Sequence, residues 1–125
     1  MKEKSIKQTI NILEIPAQDS IMAIREKNLT RFINLRDVTH IKSNSYLSIV
    51  YTIEGEAFTF SKLLRQFEES LHDYGFVRVN RNSIVNLIHV ERYEAGDNPV
   101  VFLRGERNLA VSRRRCRLIR SLYLF

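Results

Sequence analysis

The side chains with the most chemistry to offer are arginines and asparagines, and they fall in two clusters. The first is Arg78 with the polar run Asn80-Arg81-Asn82-Ser83, set between two apolar runs where a strand would ordinarily continue with hydrophobic residues. A guanidinium bonds bidentately to guanine O6 and N7, and a carboxamide to adenine N6 and N7. The plainer use of the same residues is a turn held by asparagine side chains. The second cluster is S-R-R-R-C-R-L-I-R-S-L-Y-L-F at 112–125, with five arginines in eight residues and no acid. Wound as a helix, Arg113, Arg117 and Arg120 share one face, with Arg114 at its edge, while Cys116, Ile119, Leu122 and Tyr123 lie opposite. Arg115 falls on the apolar side, so it must snorkel or pair with an acid. Ser112 is placed to cap this helix, whose first turn offers free N–H groups and a positive dipole end to a phosphate oxygen. A merely solvated basic face is the competing reading.

Charge placement sharpens both clusters. Residues 1–75 hold ten basic and ten acidic side chains, whereas residues 76–125 hold ten basic and four acidic ones, so the net charge of +6 arises in the second part. All ten of those basic residues are arginine, the side chain whose planar fork matches phosphate and guanine. An anionic membrane surface is a weaker partner, because no long amphipathic helix with a Trp/Phe face is present and tryptophan is absent. No apolar run reaches the ~18 residues of a membrane-spanning helix. The first residues are basic but lack the apolar core and cleavage site of a signal peptide. One cysteine, Cys116, excludes an internal disulfide and fits a reducing cytoplasm, the expected location.

Catalysis has little to stand on. No nucleophile elbow, zinc-protease, phosphate-loop or dinucleotide motif occurs. His40, His72, His89 and Cys116 are too scattered for a zinc site. Asp37 and His40 point to opposite faces of a strand, His89 lies within an apolar strand as half-buried structure, and Cys116 fills core. The chain is therefore expected to be no enzyme, with no cofactor, no metal and no small-molecule substrate.

The elements that must position the two clusters are short strands. Residues 1–17 look like a tail or linker, though a strand at Ile10–Ile15 fits equally, and 18–125 form the domain. Strands are expected at 21–25, 29–35 and 38–42, with Ser43-Asn44-Ser45 a polar loop. From 46 to 53 the side chains alternate: Leu47, Ile49, Tyr51 and Ile53 on one face, Tyr46, Ser48, Val50 and Thr52 on the other. A turn at Glu54-Gly55 leads to a partner strand at 56–60. Leu63, Leu64, Phe67 and Leu71 then recur at helical spacing, predicting a helix over 61–73 with Ser61 as N-cap and Gly75 as stop, its apolar stripe covering a sheet. A strand at 76–79 follows, then the polar turn, then 84–93 as one helical turn and a strand. Strands at 100–103 and 108–111 form a hairpin before the basic helix. The expected fold class is mostly β: about ten short strands in small sheets, one longer helix and a short C-terminal one.

These residues resemble a known family. F-V-R-V-N-R-N-S-I-V-N at Phe76–Asn86, V-S-R-R at Val111–Arg114, L-R-D-V at Leu35–Val38 with Tyr46 beyond, and S-x-x-L-x-x-F-E-x-x-L over Ser61–Leu71 are similar to the LytTR DNA-binding domain, in the same order and over about 19–124. The resemblance implies the output domain of a bacterial response regulator in a two-component system, reading DNA with loops rather than a recognition helix. It implies three segments in successive major grooves: the loop ending at Tyr46, the turn at 80–82, and the start of the last helix. Base-contact candidates are then Arg81, Arg114, Tyr46, Asn80 and Asn82. DNA-backbone candidates are Asn44, Ser45, Arg78, Arg113, Arg117 and Arg120. Asn80 and Asn82 replace the histidine and serine usual in the family, so its target sequence does not carry over. Such regulators commonly carry an N-terminal phosphoacceptor domain, and only a short segment precedes the match here. The expected partner is double-stranded DNA, with a second copy of the chain on direct-repeat half-sites.

Two other classes compete: an RNA-binding β-domain, which would expose aromatics for base stacking, and a protein-interaction module presenting its basic face to an acidic partner. Salt dependence tests the electrostatics. With about five phosphate contacts, the logarithm of duplex affinity should fall linearly with the logarithm of salt, with a slope of roughly −4 to −5. A near-flat response would remove the phosphate contacts.

Overall fold

Short alternating runs ended by polar turns give eleven strands and two α-helices among the described residues, which in this computed structural model are 10–14, 20–105 and 107–123. The first sheet joins β1 (Ile10–Leu13), β2 (Ile21–Glu26) and β3 (Leu29–Asn34) in that order. The second has five strands, ordered β6-β5-β4-β8-β7: β4 (Val38–Asn44), β5 (Leu47–Thr52), β6 (Ala57–Phe60), β7 (Phe76–Asn80) and β8 (Ser83–Asn86). The third joins β9 (Val90–Glu94), β10 (Val100–Leu103) and β11 (Arg107–Ala110). All pairings are antiparallel. Helix α1 (Leu64–Leu71) lies between β6 and β7, and α2 (Arg113–Tyr123) closes the chain.

Two cores result. In one, Leu64, Phe67 and Leu71 of α1 pack with Met22, Ile24, Ile41, Val50, Phe76 and Ile84, so this helix covers sheet as expected. In the other, Val79 and Val85 pack with Val101, Leu103, Leu109, Val111 and Ile119, with Cys116 half-buried at its edge. Strands β7 and β8 contribute to both, so the five-stranded sheet carries α1 on one side and the third sheet with α2 on the other.

Several expectations are corrected. Of the two readings of residues 1–17, the strand holds for Ile10–Leu13: β1 pairs with β2, and Ile10 is buried in the first core. Residues 1–9 and 15–17 lie outside the described ones. The helix expected over 61–73 starts later, at Leu64, and a single 3-10 turn at His72–Tyr74 continues it to Gly75. Ser61 does not cap it, because the N-cap position is Leu63, two residues on; Gln66 Oε1 reaches back 2.8 Å to the N–H of Leu63, which is exposed rather than part of the apolar stripe. His89 sits not in a strand but in a 3-10 turn, Leu87–His89, that separates β8 from β9. On β5 the buried face is the polar-looking one, Ser48, Val50 and Thr52. The Ser48 hydroxyl donates to the Lys62 carbonyl at 2.7 Å, and Thr52 accepts from the Glu56 N–H at 3.1 Å, so these hydroxyls are satisfied inside.

Two matching pentapeptides hold the middle of the fold. Asn34-Leu35-Arg36-Asp37-Val38 and Asn86-Leu87-Ile88-His89-Val90 each form one 3-10 turn capped by the asparagine side chain. They clasp each other: Asn86 Nδ2 donates to the carbonyls of Leu35 and Val38 at 3.1 and 2.8 Å, and His89 Nε2 lies 2.6 Å from the Arg36 carbonyl.

Phe67 and Leu64 are nearly or fully buried, so Phe67→Ala and Leu64→Ala should each destabilise the fold by about 2–5 kcal/mol in denaturant titrations. Unchanged unfolding midpoints in both variants would mean that α1 is not seated on the sheet.

Candidate nucleic-acid interface

Three segments from separate parts of the chain meet at one end of the molecule. The β4–β5 hairpin runs further than expected: Asn44 pairs with Leu47, leaving a two-residue loop of Ser45 and Tyr46. Ser45 takes a left-handed φ of 62°, and Tyr46 stands out to solvent at 81% exposure. The β7–β8 hairpin is equally tight, with Asn80 opposite Ser83 and Arg81-Asn82 at its tip. The third segment leads from β11 into α2.

Short hydrogen bonds tie the three together. The Ser43 N–H donates to the Asn82 carbonyl at 2.9 Å and its hydroxyl to Asn82 Oδ1 at 3.0 Å, joining the first hairpin to the second. Asn80 Oδ1 accepts from the Asn82 N–H at 2.8 Å, closing the tip, while Asn80 Nδ2 donates to the Ala110 carbonyl at 2.7 Å. The Ser112 N–H donates to the Val79 carbonyl at 2.8 Å. The last two bonds fix the start of α2 beside the second hairpin. The carbonyl of Ser112 accepts the first N–H groups of α2, from Arg115 and Cys116, at 3.0 and 3.1 Å.

Behind this end stands one carboxylate. Glu68, on α1, accepts from Arg78 Nη1 at 2.8 Å and lies 3.5 Å from Arg115 Nη1. Arg78 then donates through Nε to the Asn80 carbonyl at 3.2 Å and through Nη2 to the Arg81 carbonyl. Arg115 also donates to the Arg78 carbonyl at 3.4 Å. The arginine that had to snorkel or find an acid has found Glu68.

The sequence candidates thus divide by position. Asn44, Ser45, Tyr46, Arg81, Asn82, Arg113, Arg114, Arg117 and Arg120 are exposed. The guanidiniums of Arg81, Arg113, Arg114, Arg117 and Arg120 have no acidic partner among the described residues. Arg78 is only 16% exposed and turned inward, and both ends of the Asn80 carboxamide are bonded to backbone, so these two hold the turn rather than face outward. Glu68 and Ser43 escaped sequence reasoning. The one signal for Glu68 was the displaced Arg115, which required an acid without saying which. Among the described residues, no three His, Cys, Asp or Glu side chains gather where a metal would sit.

The model of the LytTr DNA-binding domain family matches residues 28–123, from the β2–β3 turn to the end of α2. The chain belongs to this family. Its fold also matches, at a TM-score of 0.70 and 19% identity, the LytTr DNA-binding domain of a protein described as a methyl-accepting/DNA response regulator from Bacillus cereus, covering 86% of this chain and 100% of that one. No curated protein matches. The eleven strands in three small sheets with two helices are the LytTR arrangement.

In this LytTR domain the carboxylate tests the scaffold. Glu68→Gln keeps the shape but leaves the half-buried Arg78 without its counter-charge, which should cost about 1–3 kcal/mol of stability. Amide exchange at Arg81 and Asn82 should quicken in the same variant. Unchanged melting and exchange would mean that the ion pair does not hold the turn.

Proposed function

We propose that this chain is a sequence-specific double-stranded DNA-binding transcription regulator that reads major grooves with loops and the start of a basic helix. One observation carries it: three tight segments far apart in sequence are bonded edge to edge at one end, and that end presents five arginines free of acidic partners among the described residues. Paired inward arginines build; unpaired outward ones are available to phosphates and base edges.

The roles follow from position. Arg81, at the tip of the second hairpin, and Arg114, in the first turn of α2, are the guanine readers. Tyr46 offers its ring and hydroxyl from the first hairpin, and Asn82 its amide Nδ2, since only its oxygen is bonded to Ser43. Arg113, Arg117 and Arg120, with Asn44 and Ser45, contact phosphates and set the register. Arg78 and Asn80 position the Arg81 tip. The regulator works in the cytoplasm, has no catalytic role, and binds direct-repeat half-sites as two copies. An RNA platform is less well supported, because the exposed aromatics Tyr46 and Phe32 belong to different sheets and form no stacking surface.

Selection of bound sequences from random duplex DNA supplies the site, and titrations then separate the roles. Arg81→Ala and Arg114→Ala should each cost about 1–3 kcal/mol on the selected duplex and much less on a scrambled one. Arg81→Lys should not restore affinity, because lysine lacks the fork. Arg113→Ala and Arg117→Ala should weaken both duplexes alike. Parallel losses for Arg81→Ala and Arg114→Ala would demote those residues to phosphate contacts.

A further inference from the structure

One cavity among the described residues lies away from the arginine-rich end. It holds about 530 Å³ and opens between the five-stranded sheet and the β10–β11 hairpin. Its walls include His40 and Tyr51 from β4 and β5, Ile53 beyond β5, Leu103 from β10, Arg104 just after it and Arg107 at the start of β11. His40 is four residues along β4 from Asn44, about 13 Å from the hairpin tip.

The lining is of two kinds. Tyr51 and Ile53 and, from the third sheet, Leu103 supply its apolar part. Against it stand two guanidiniums, and neither has an acidic partner among the described residues. Arg107 lies 5.4 Å from the centre of the Tyr51 ring, and that ring stacks on His40 at 4.4 Å, within 5° of parallel. His40 is 2% exposed. Its Nδ1 is bonded to the Thr39 hydroxyl at 2.8 Å, but Nε2 is buried without a hydrogen-bond partner among the described residues. A buried polar atom left unpaired is costly, and few native structures keep one without a use for it. Burial first, then the charges of Arg107 and Lys42, lower the His40 pKa to about 4, so its ring is neutral near pH 7.

We propose that this cavity binds a small planar organic carboxylate, whose ring packs against Ile53, Leu103 and the edge of the Tyr51 ring, and whose carboxylate is held by Arg104 and Arg107. The neutral His40 imidazole supplies Nε2 to a polar group on the ring. Two guanidiniums alone would suit any small anion. The apolar part and a volume in the range of small-molecule pockets require an organic body as well. Because the cavity sits between the sheet carrying the Tyr46 hairpin and the sheet leading into α2, an occupant spans the two supports of the DNA-facing end. This site stands independently of the DNA reading, and its test uses no DNA.

The test is a titration of the isotope-labelled full chain with benzoate, 4-hydroxybenzoate, cyclohexanecarboxylate and inorganic phosphate, followed by amide chemical shifts. Benzoate and 4-hydroxybenzoate should move the amides of His40, Tyr51, Arg104 and Arg107 together. Cyclohexanecarboxylate should bind at least several-fold more weakly. Arg104→Gln and Arg107→Gln, both at exposed positions, should fold normally by their spectra and weaken benzoate at least tenfold. Tyr51→Phe, which keeps the ring, should leave benzoate binding within about twofold. Phosphate moving the same amides as strongly as benzoate would overturn the assignment to a planar carboxylate. Benzoate shifts that are absent up to its solubility, or confined to residues 113–120, would overturn the site itself.

Discussion

One carboxylate organises the end of this molecule that presents five arginines outward. Glu68 projects from α1 and grips Arg78, and Arg78 in turn holds the carbonyls of Asn80 and Arg81. The same carboxylate lies 3.5 Å from Arg115 of α2. A helix that packs in one core thus fixes a hairpin tip and the start of a second helix. The pair is half-shielded, so its value lies in geometry more than in net Coulomb energy. An unpaired Arg78 would have to leave the turn for solvent, taking the Arg81 carbonyl contact with it. Drawing two arginines inward onto one carboxylate also sorts the charge, leaving the outward guanidiniums to carry most of the positive field at this end.

The hydrogen bonds between hairpins complete what the ion pair begins. Ser43 to Asn82 and Asn80 to Ala110 link backbones that are 39 and 30 residues apart. Two-residue hairpins leave little slack, so each tip moves with its sheet. At the other end of β4 and β8, the paired Asn-Leu-x-x-Val turns clasp each other through Asn86 and His89. The five-stranded sheet is therefore pinned at both ends. The proposed reading of DNA by loops needs this, because specificity from loops depends on the scaffold that holds them.

Much of this was visible in the sequence, and what was hidden has common physical causes. Strand alternation, turn residues and the helical spacing of Leu64, Phe67 and Leu71 are local, and they placed nearly every element. The start of α1 slipped because the N-cap position is Leu63 rather than Ser61, and Gln66 reaches back to the N–H of Leu63. The buried face of β5 was not decided by hydropathy, since Ser48 and Thr52 are satisfied by backbone partners after a turn. At the candidate site, residue type singled out the arginine clusters and the 80–82 turn, and the structure brings these segments together at one end. It did not separate outward side chains from inward ones: Arg78 and Asn80 are chemically suited to bases, yet Glu68 and Ala110 engage them inside the protein. Such pairings are long-range, and a single chain of letters does not display them. Arg115 was the exception, because its place on an apolar helix face demanded an acid.

Three segments, held as one edge, are proposed to engage duplex DNA together. Hydrogen-exchange protection measured with and without a selected duplex tests this most directly. Protection is expected in three tracts at once, around 43–47, 80–83 and 112–117, with the outer strands of the first sheet unaffected. Protection confined to one tract, or centred on α1 and β1–β3, would contradict it.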